Sequence, residues 1–306
     1  MTSRYWPLIL TLAAVWGTSY LFIKVGVEGG FSPGALMAAR ALIAGIVLFG
    51  YLATTSGVAK AGADLRGAWR ESLVLGLLNA ALPFWLVAWG EEHIDSSVAA
   101  IAQATVPIFS LLIGLRFLPH ERIGRRRIFG ICLGFAGVTL VAGVAPAGNV
   151  WAVAGTLAVV LASVFYASAS IYGQLRLSGR VSGPVLATGS MLAGGVMLLP
   201  LAIARPPTSM PTTGALVSLL LLSLVGTALA QLILFRSIGL FGARRLSLVT
   251  YLMPGFALVY GSLILDEQLE ASSLIGLALI LLGVALGSGA VRLRSRRAID
   301  TVDSPS

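Results

Sequence analysis

Three carboxamides lie within long apolar runs of this chain: Asn79, Gln103 and Gln231. A carboxamide offers both a donor and an acceptor, and in hydrocarbon both need partners. Such a side chain either bonds to a neighbouring helix or lines a polar cavity. Aromatic residues occur in the same runs. Trp16 and Tyr20 stand four residues apart, as do Trp85 and Trp89, so each pair shares one face of a helix. Phe165, Tyr166 and Tyr251 follow further along. Read functionally, these rings form a cage for an apolar or aromatic amino-acid-like molecule, with cation–π contacts to a bound cation. Read structurally, they are core packing, or an interfacial belt in the case of Trp89. Two cations, Lys24 and Arg40, also lie inside apolar runs. Arg40 can clamp a carboxylate, form a structural pair with Glu28, Glu91 or Glu92, or reach along the helix to the surface. The structural readings, a pair or a side chain reaching the surface, are preferred to the clamp. Lys24 reads as a substrate or gate contact, or as a cation reaching for the surface.

Catalytic chemistry is poorly provided for. His93 and His120 are the only histidines and fall on opposite sides of the expected membrane. No Ser–His pair, metal cluster or phosphate-cradling Gly–Lys–Ser/Thr loop is evident. The single cysteine, Cys132, rules out an intrachain disulfide. The reading is of a protein that is not an enzyme and needs no metal or cofactor.

The elements that position these residues follow from composition. Of 306 residues, 57% are hydrophobic and 11% charged, with a mean hydropathy of +0.93. A soluble domain carries about 25% charged residues, so the solvent for this chain must be lipid. Ten stretches approach the 20 or so apolar residues that cross a bilayer: 6–26, 33–53, 71–90, 97–117, 128–145, 151–172, 184–204, 214–235, 246–265 and 271–291. The first continues through Trp16 and Tyr20 with no small-residue cleavage site, so it is read as a retained span. If the N-terminus is cytoplasmic, 18 of the 21 Lys and Arg residues fall in inside segments; Lys24, Arg40 and Arg205 fall elsewhere. The positive-inside rule then places both termini in the cytoplasm. It also accounts for the net charge of +9 without a nucleic-acid partner.

Residues 97–143 and 244–289 repeat one pattern. Pro107 matches Pro254, Glu121 matches Glu267, Gly130 matches Gly276 and Gly137 matches Gly283. Each half holds five spans, an odd number, so the second copy enters the membrane the opposite way round. That arrangement is the inverted repeat of secondary transporters, with a binding site between halves near the midplane. The division is 1–146 and 147–291, followed by a basic and polar tail, 292–306. The two prolines each remove a backbone donor in mid-span. They read as symmetry-related gates or as static kinks. Glu121 and Glu267 precede helix starts and read as caps, while Glu91 and Glu92 are the better candidates for carrying a proton. The glycines of spans five and ten allow close packing, within one molecule or in a homodimer.

Trp16-Gly17-Thr18-Ser19 with Lys24 in span one, Arg40 and Ala44 in span two, the Pro107/Pro254 pair and the repeated Glu-x8-Gly-x6-Gly resemble the EamA-type branch of the drug/metabolite transporter superfamily. The resemblance covers roughly residues 5–291. It implies an all-α membrane protein, with ten transmembrane helices in two inverted five-helix repeats around a central cavity. It also implies export or exchange of small metabolites such as amino acids across the bacterial inner membrane, by alternating access. The cavity is then lined mainly by spans one, three, four, six, eight and nine. On that basis Trp16, Ser19, Tyr20, Asn79, Trp85, Gln103, Tyr166, Gln231 and Tyr251 are expected to line the substrate site, with Lys24, Pro107 and Pro254 as gating residues. The partners expected are a small-molecule substrate and membrane lipid, and the chain is a monomer or homodimer. A passive channel and a membrane scaffold without cargo are the alternatives.

Overall fold

The computed structural model describes residues 5–117, 124–143, 150–177, 179–207, 210–241 and 248–287, and among these all regular structure is helical. Seven helices are long and apolar enough to cross a membrane, and three shorter apolar ones bring the set to ten. Span one is α1 (Tyr5–Glu28) and span two is α2 (Pro33–Ser56). A short helix, α3 (Val58–Gly67), follows. Span three comprises α4 (Trp69–Leu75), a π-helical segment (Gly76–Ala81) and α5 (Leu82–Glu91). Span four is split into α6 (Ser96–Gln103) and α7 (Val106–Phe117), and span five is α8 (Arg125–Gly143). Span six is α9 (Val150–Tyr172) with a π-helical end (Gly173–Leu177), and span seven is α10 (Gly183–Ala204). Span eight comprises α11 (Thr213–Ser223), a π-helical segment (Leu224–Leu229) and α12 (Ala230–Phe241). Spans nine and ten are α13 (Leu248–Ile264) and α14 (Ala271–Gly287).

Local chemistry sets several boundaries. The Ser32 hydroxyl accepts from Ala35 N at 3.3 Å, with Pro33 in the first turn of α2, where its missing N–H costs nothing. The Thr212 hydroxyl caps α11 in the same way at 3.2 Å. Ile46, Leu157, Ile203 and Leu263 are more than half exposed on the outer faces. Such a belt is stable only against hydrocarbon, as composition requires.

The packing of the two halves matches. α1 lies against α11 and α13, while α9, the first span of the second half, lies against α5, α6 and α7. α2 packs on α10, and α8 on α14. The last contact is made through glycine. A Cβ on Gly137 would meet the Gly276 carbonyl at 2.6 Å and the Ile280 backbone at 3.0 Å. The glycines of spans five and ten therefore serve close approach within the molecule.

The expected spans match the observed helices to within a few residues, except at the C-terminal ends of span six, whose π-helical end runs on to Leu177, and span eight, where α12 runs on to Phe241. Three features differ. α3 was not anticipated, because Val58–Gly67 is too short and polar to read as a span. Span four is broken at Ala104 and Thr105 rather than bent smoothly. Three spans carry π-helical turns, which leave no periodic signature in sequence. Glu121, His120, the junction at 146–147 and the tail 292–306 lie outside the described residues.

Candidate functional site

A cavity of about 680 Å³ lies between the halves. It runs from Ile23 and Val87 to Gly179, Val181 and Gly183, in the turn joining spans six and seven. Seven of the nine expected lining residues are on its wall: Trp16, Ser19, Tyr20, Asn79, Gln103, Tyr166 and Gln231. Trp85 and Tyr251 are not among them. Trp85 packs on the large core cluster around Phe84 and Val87, and Tyr251 on a second cluster around Ile101 and Leu258. Lys24, Pro107 and Pro254 also lie off the wall.

The carboxamides make no side-chain hydrogen bond among the described residues, so they are not the interhelical ties that the structural reading offered. The Gln103 Oε1, Ser19 Oγ and Tyr20 hydroxyl are buried without a partner among the described residues. Orphaned groups of this kind each cost about 1–3 kcal/mol unless something binds them. They face the same space from spans one and four.

Arg40 corrects the sequence reading. It is buried, lines the cavity, and pairs with none of Glu28, Glu91 or Glu92. Its Nε donates to Thr227 Oγ1 at 2.9 Å, and its guanidinium lies 4.0 Å from the centre of the Phe84 ring. Among the described residues it is the one charged side chain on the wall. Spans two and seven thus join the six that the resemblance implied, the latter through Gly183 to Ser190. Thr227 was missed because an isolated Thr in an apolar run has no distinguishing signal. It sits in the π segment of span eight, where its hydroxyl donates to Leu222 O, five residues back, at 2.8 Å. Asn79 occupies the equivalent fourth position of the π segment of span three. Such bulges re-aim side chains and recur at functional sites.

The two ends of the cavity are unlike. One is the acidic end, holding Glu28, Glu91, Glu92, Asp95 and Glu267. There Lys24 Nζ donates to Glu91 O at 2.9 Å and Ile94 O at 3.0 Å, and meets Glu28 Oε1 at 3.3 Å. Lys24 is therefore turned inward rather than reaching for the surface. Glu267 Oε1 and Oε2 accept from Ser96 N at 2.7 Å and Ser97 N at 3.0 Å. The expected cap is real, but the helix it caps is α6 of the other half. Arg205 pairs with Glu92 at 3.0 Å, and Thr212 N donates to Gly29 O at 2.9 Å. Three of these four links join the halves. His93 lies between Trp89 and Trp151 at ring distances of 4.6 and 5.5 Å, and Trp89 is partly buried against the large core cluster. The other end, holding Lys60, Arg66, Arg70, Arg176 and Arg180, carries no comparable link among the described residues.

The sequence pattern of the EamA-like transporter family matches twice, at residues 5–143 and 153–289. The chain is 27% identical to the uncharacterized inner membrane transporter YedA of Escherichia coli K12, over 91% of this chain and 88% of the relative. It is 29% identical to a probable terminal-alkyne amino-acid exporter of Streptantibioticus cattleyicolor, over 94% and 93%. One solved crystal structure superposes with a TM-score of 0.64 at 21% identity, covering 95% of this chain and 98% of that one. That similarity concerns the fold.

Proposed function

The chain belongs to the EamA-like transporter family, and we propose that it is a secondary transporter exporting or exchanging a small anion-bearing metabolite, of which an amino acid is the leading case. The observation that carries this reading is Arg40: a buried guanidinium on the cavity wall with no carboxylate partner among the described residues. A lone buried cation is costly to keep, and a carboxylate from outside relieves that cost through charge-assisted bonds. Gln103 Oε1, Ser19 and Tyr20 stand ready for a neighbouring ammonium or hydroxyl. Trp16, Phe84 and Phe235 supply apolar surface for a side chain. The cavity volume falls within the roughly 300–1,000 Å³ range of small-molecule sites.

Alternating access follows from the unlike ends. The linked acidic end is the closed one, and the cavity extends toward the basic end. With the basic end cytoplasmic in the bacterial inner membrane, this is the state that loads cargo for export, and both termini lie inside. The relative that is a probable amino-acid exporter supports the substrate class. Proteoliposomes loaded with labelled amino acids test it. Release should accelerate when unlabelled substrate is offered on the other side. If no member of the amino-acid panel moves faster than through protein-free vesicles, the substrate class is rejected.

A further inference from the structure

Glu91 is a second buried ionisable group that the proposed binding site leaves unused. It ends span three, is fully buried, and among the described residues neither carboxyl oxygen has a hydrogen-bond partner. The charged groups facing it are Lys24 and Glu28 of α1, Arg40 of α2, and Glu267 before α14. Each is committed elsewhere. Lys24 donates to the Glu91 and Ile94 carbonyls, and its charge is paired with Glu28 at 3.3 Å. The guanidinium of Arg40 is turned to Thr227 and Phe84. Glu267 is an acid and is itself occupied by Ser96 N and Ser97 N. Just past the end of Glu91's own helix, Glu92 pairs with Arg205 and His93 bonds to the Trp89 carbonyl. An ionised carboxylate in that position would be buried without a donor, at a cost of several kcal/mol. A protonated one carries only the smaller cost of an unpaired neutral group, about 1–3 kcal/mol.

We propose that Glu91 carries a proton that is coupled to closure of the acidic end. With that end closed, the carboxyl group is –COOH. When the end opens, water reaches it, the O–H bond breaks, and H⁺ leaves to the medium on that side. The closed state therefore binds one more proton than the open state. By linkage, raising the pH favours opening, by up to tenfold in the equilibrium per pH unit while only the open state is ionised. This inference rests on the alternating-access reading above and names the ion to which the movement is coupled.

The test uses the full chain in lipid nanodiscs and needs no substrate, so its failure and failure of the amino-acid assay are separate outcomes. Infrared spectra titrated with pH should show a protonated carboxyl band that is absent from Glu91→Gln. Hydrogen exchange at Ser96 and Ser97, corrected for intrinsic pH dependence, reads opening, because Glu267 must release those amides. Protection in the wild type should fall as pH rises, by up to tenfold per unit. Glu91→Gln, permanently neutral, should stay protected with no pH dependence, and Glu91→Asp should restore the dependence. Asp95 is a necessary control, since partial burial, and then Glu267, push its carboxyl above the ordinary range. Asp95→Asn should leave the profile in place. A band that survives in Glu91→Gln overturns the proposal, as does a pH profile that Glu91→Gln leaves unchanged or that Asp95→Asn abolishes. Should Glu91→Gln fail to fold, the band and a shifted profile in Glu91→Asp decide the question.

Discussion

Spans four and nine carry the same proline in the same repeated segment, yet their backbones differ. Around Pro107 the helix stops at Gln103 and restarts at Val106, with short i→i+3 bonds at Ala104 and Thr105. Around Pro254 the helix α13 runs unbroken from Leu248 to Ile264. The missing proline donor frees the carbonyl four residues earlier. At Pro107 that is Gln103 O, which receives the Ser163 hydroxyl of span six at 3.5 Å. A break of this kind in lipid survives only where protein supplies the lost bonds. Pro107 sits in the second position of its new helix, where proline is tolerated, whereas Pro254 bears the full interior penalty. A repeated sequence thus adopts two local structures.

The largest expected effect comes from breaking that comparison directly. Pro254→Ala should stabilise the observed state by up to about 3 kcal/mol, since it restores a helix bond and relieves a clash. Pro107→Ala should change stability by less than about 0.5 kcal/mol, because the first turn of α7 needs no donor there. Thermal unfolding in detergent, with both variants side by side, reads the contrast. Equal shifts would mean that the two prolines are energetically alike despite the backbone difference.

Charge separates the halves next. Arg40 stands eight residues beyond the Ser32 cap, and Ser190 stands eight beyond the Ser182 cap. Both line the cavity, but Ser190 spends its hydroxyl on Ala187 O at 3.1 Å. Arg40→Met should weaken binding of an anionic substrate by about 1.5–3 kcal/mol, or roughly tenfold to more than a hundredfold. Ser190→Ala should change it by less than about threefold. Substrate-dependent thermal stabilisation measures both. An Arg40→Met protein that binds as tightly as wild type would remove the carboxylate clamp.

Glu267→Gln sharpens the comparison of ends. It keeps the shape of the cap on α6 but removes its charge, which is worth about 1 kcal/mol at a helix N-terminus. Exchange at Ser96 and Ser97 should accelerate about fivefold, with no change at the basic end. Gly261 shows how closely Glu267 is seated: a Cβ there would run into its Oε2. Gly261→Ala should therefore loosen the same cap from the other side.

Much of this was legible in sequence because lipid leaves few choices. Every spanning backbone must be helical, so hydropathy alone marked the ten spans, and parity of the repeat required inversion. The polar lining was legible for the same reason: Asn79, Gln103 and Gln231 are conspicuous where nearly everything else is apolar. Arg40 was legible as a charge, but the choice between clamp and structural pair was not, because helix register relative to a neighbour depends on packing that no single helix encodes. The glycine contact of α8 with α14 was visible as small residues at regular spacing. The partner of Glu267 was not, since its capped helix lies about 170 residues away in sequence.

The smallest expected effect lies in the paired π segments of spans three and eight, whose fourth residues are Asn79 and Thr227. Both face the cavity, but only Thr227 is bonded, accepting from Arg40 and donating to Leu222 O. Thr227→Val is nearly isosteric and removes both bonds, so it should cost about 1 kcal/mol in stability and loosen Arg40. Asn79→Leu removes no bond to protein, so stability should hold or rise slightly, while substrate affinity falls. Measuring unfolding and binding together on both variants separates a residue that holds the site's shape from one that only meets the substrate. Loss of stability in Asn79→Leu matching that in Thr227→Val would make the two π segments equivalent supports.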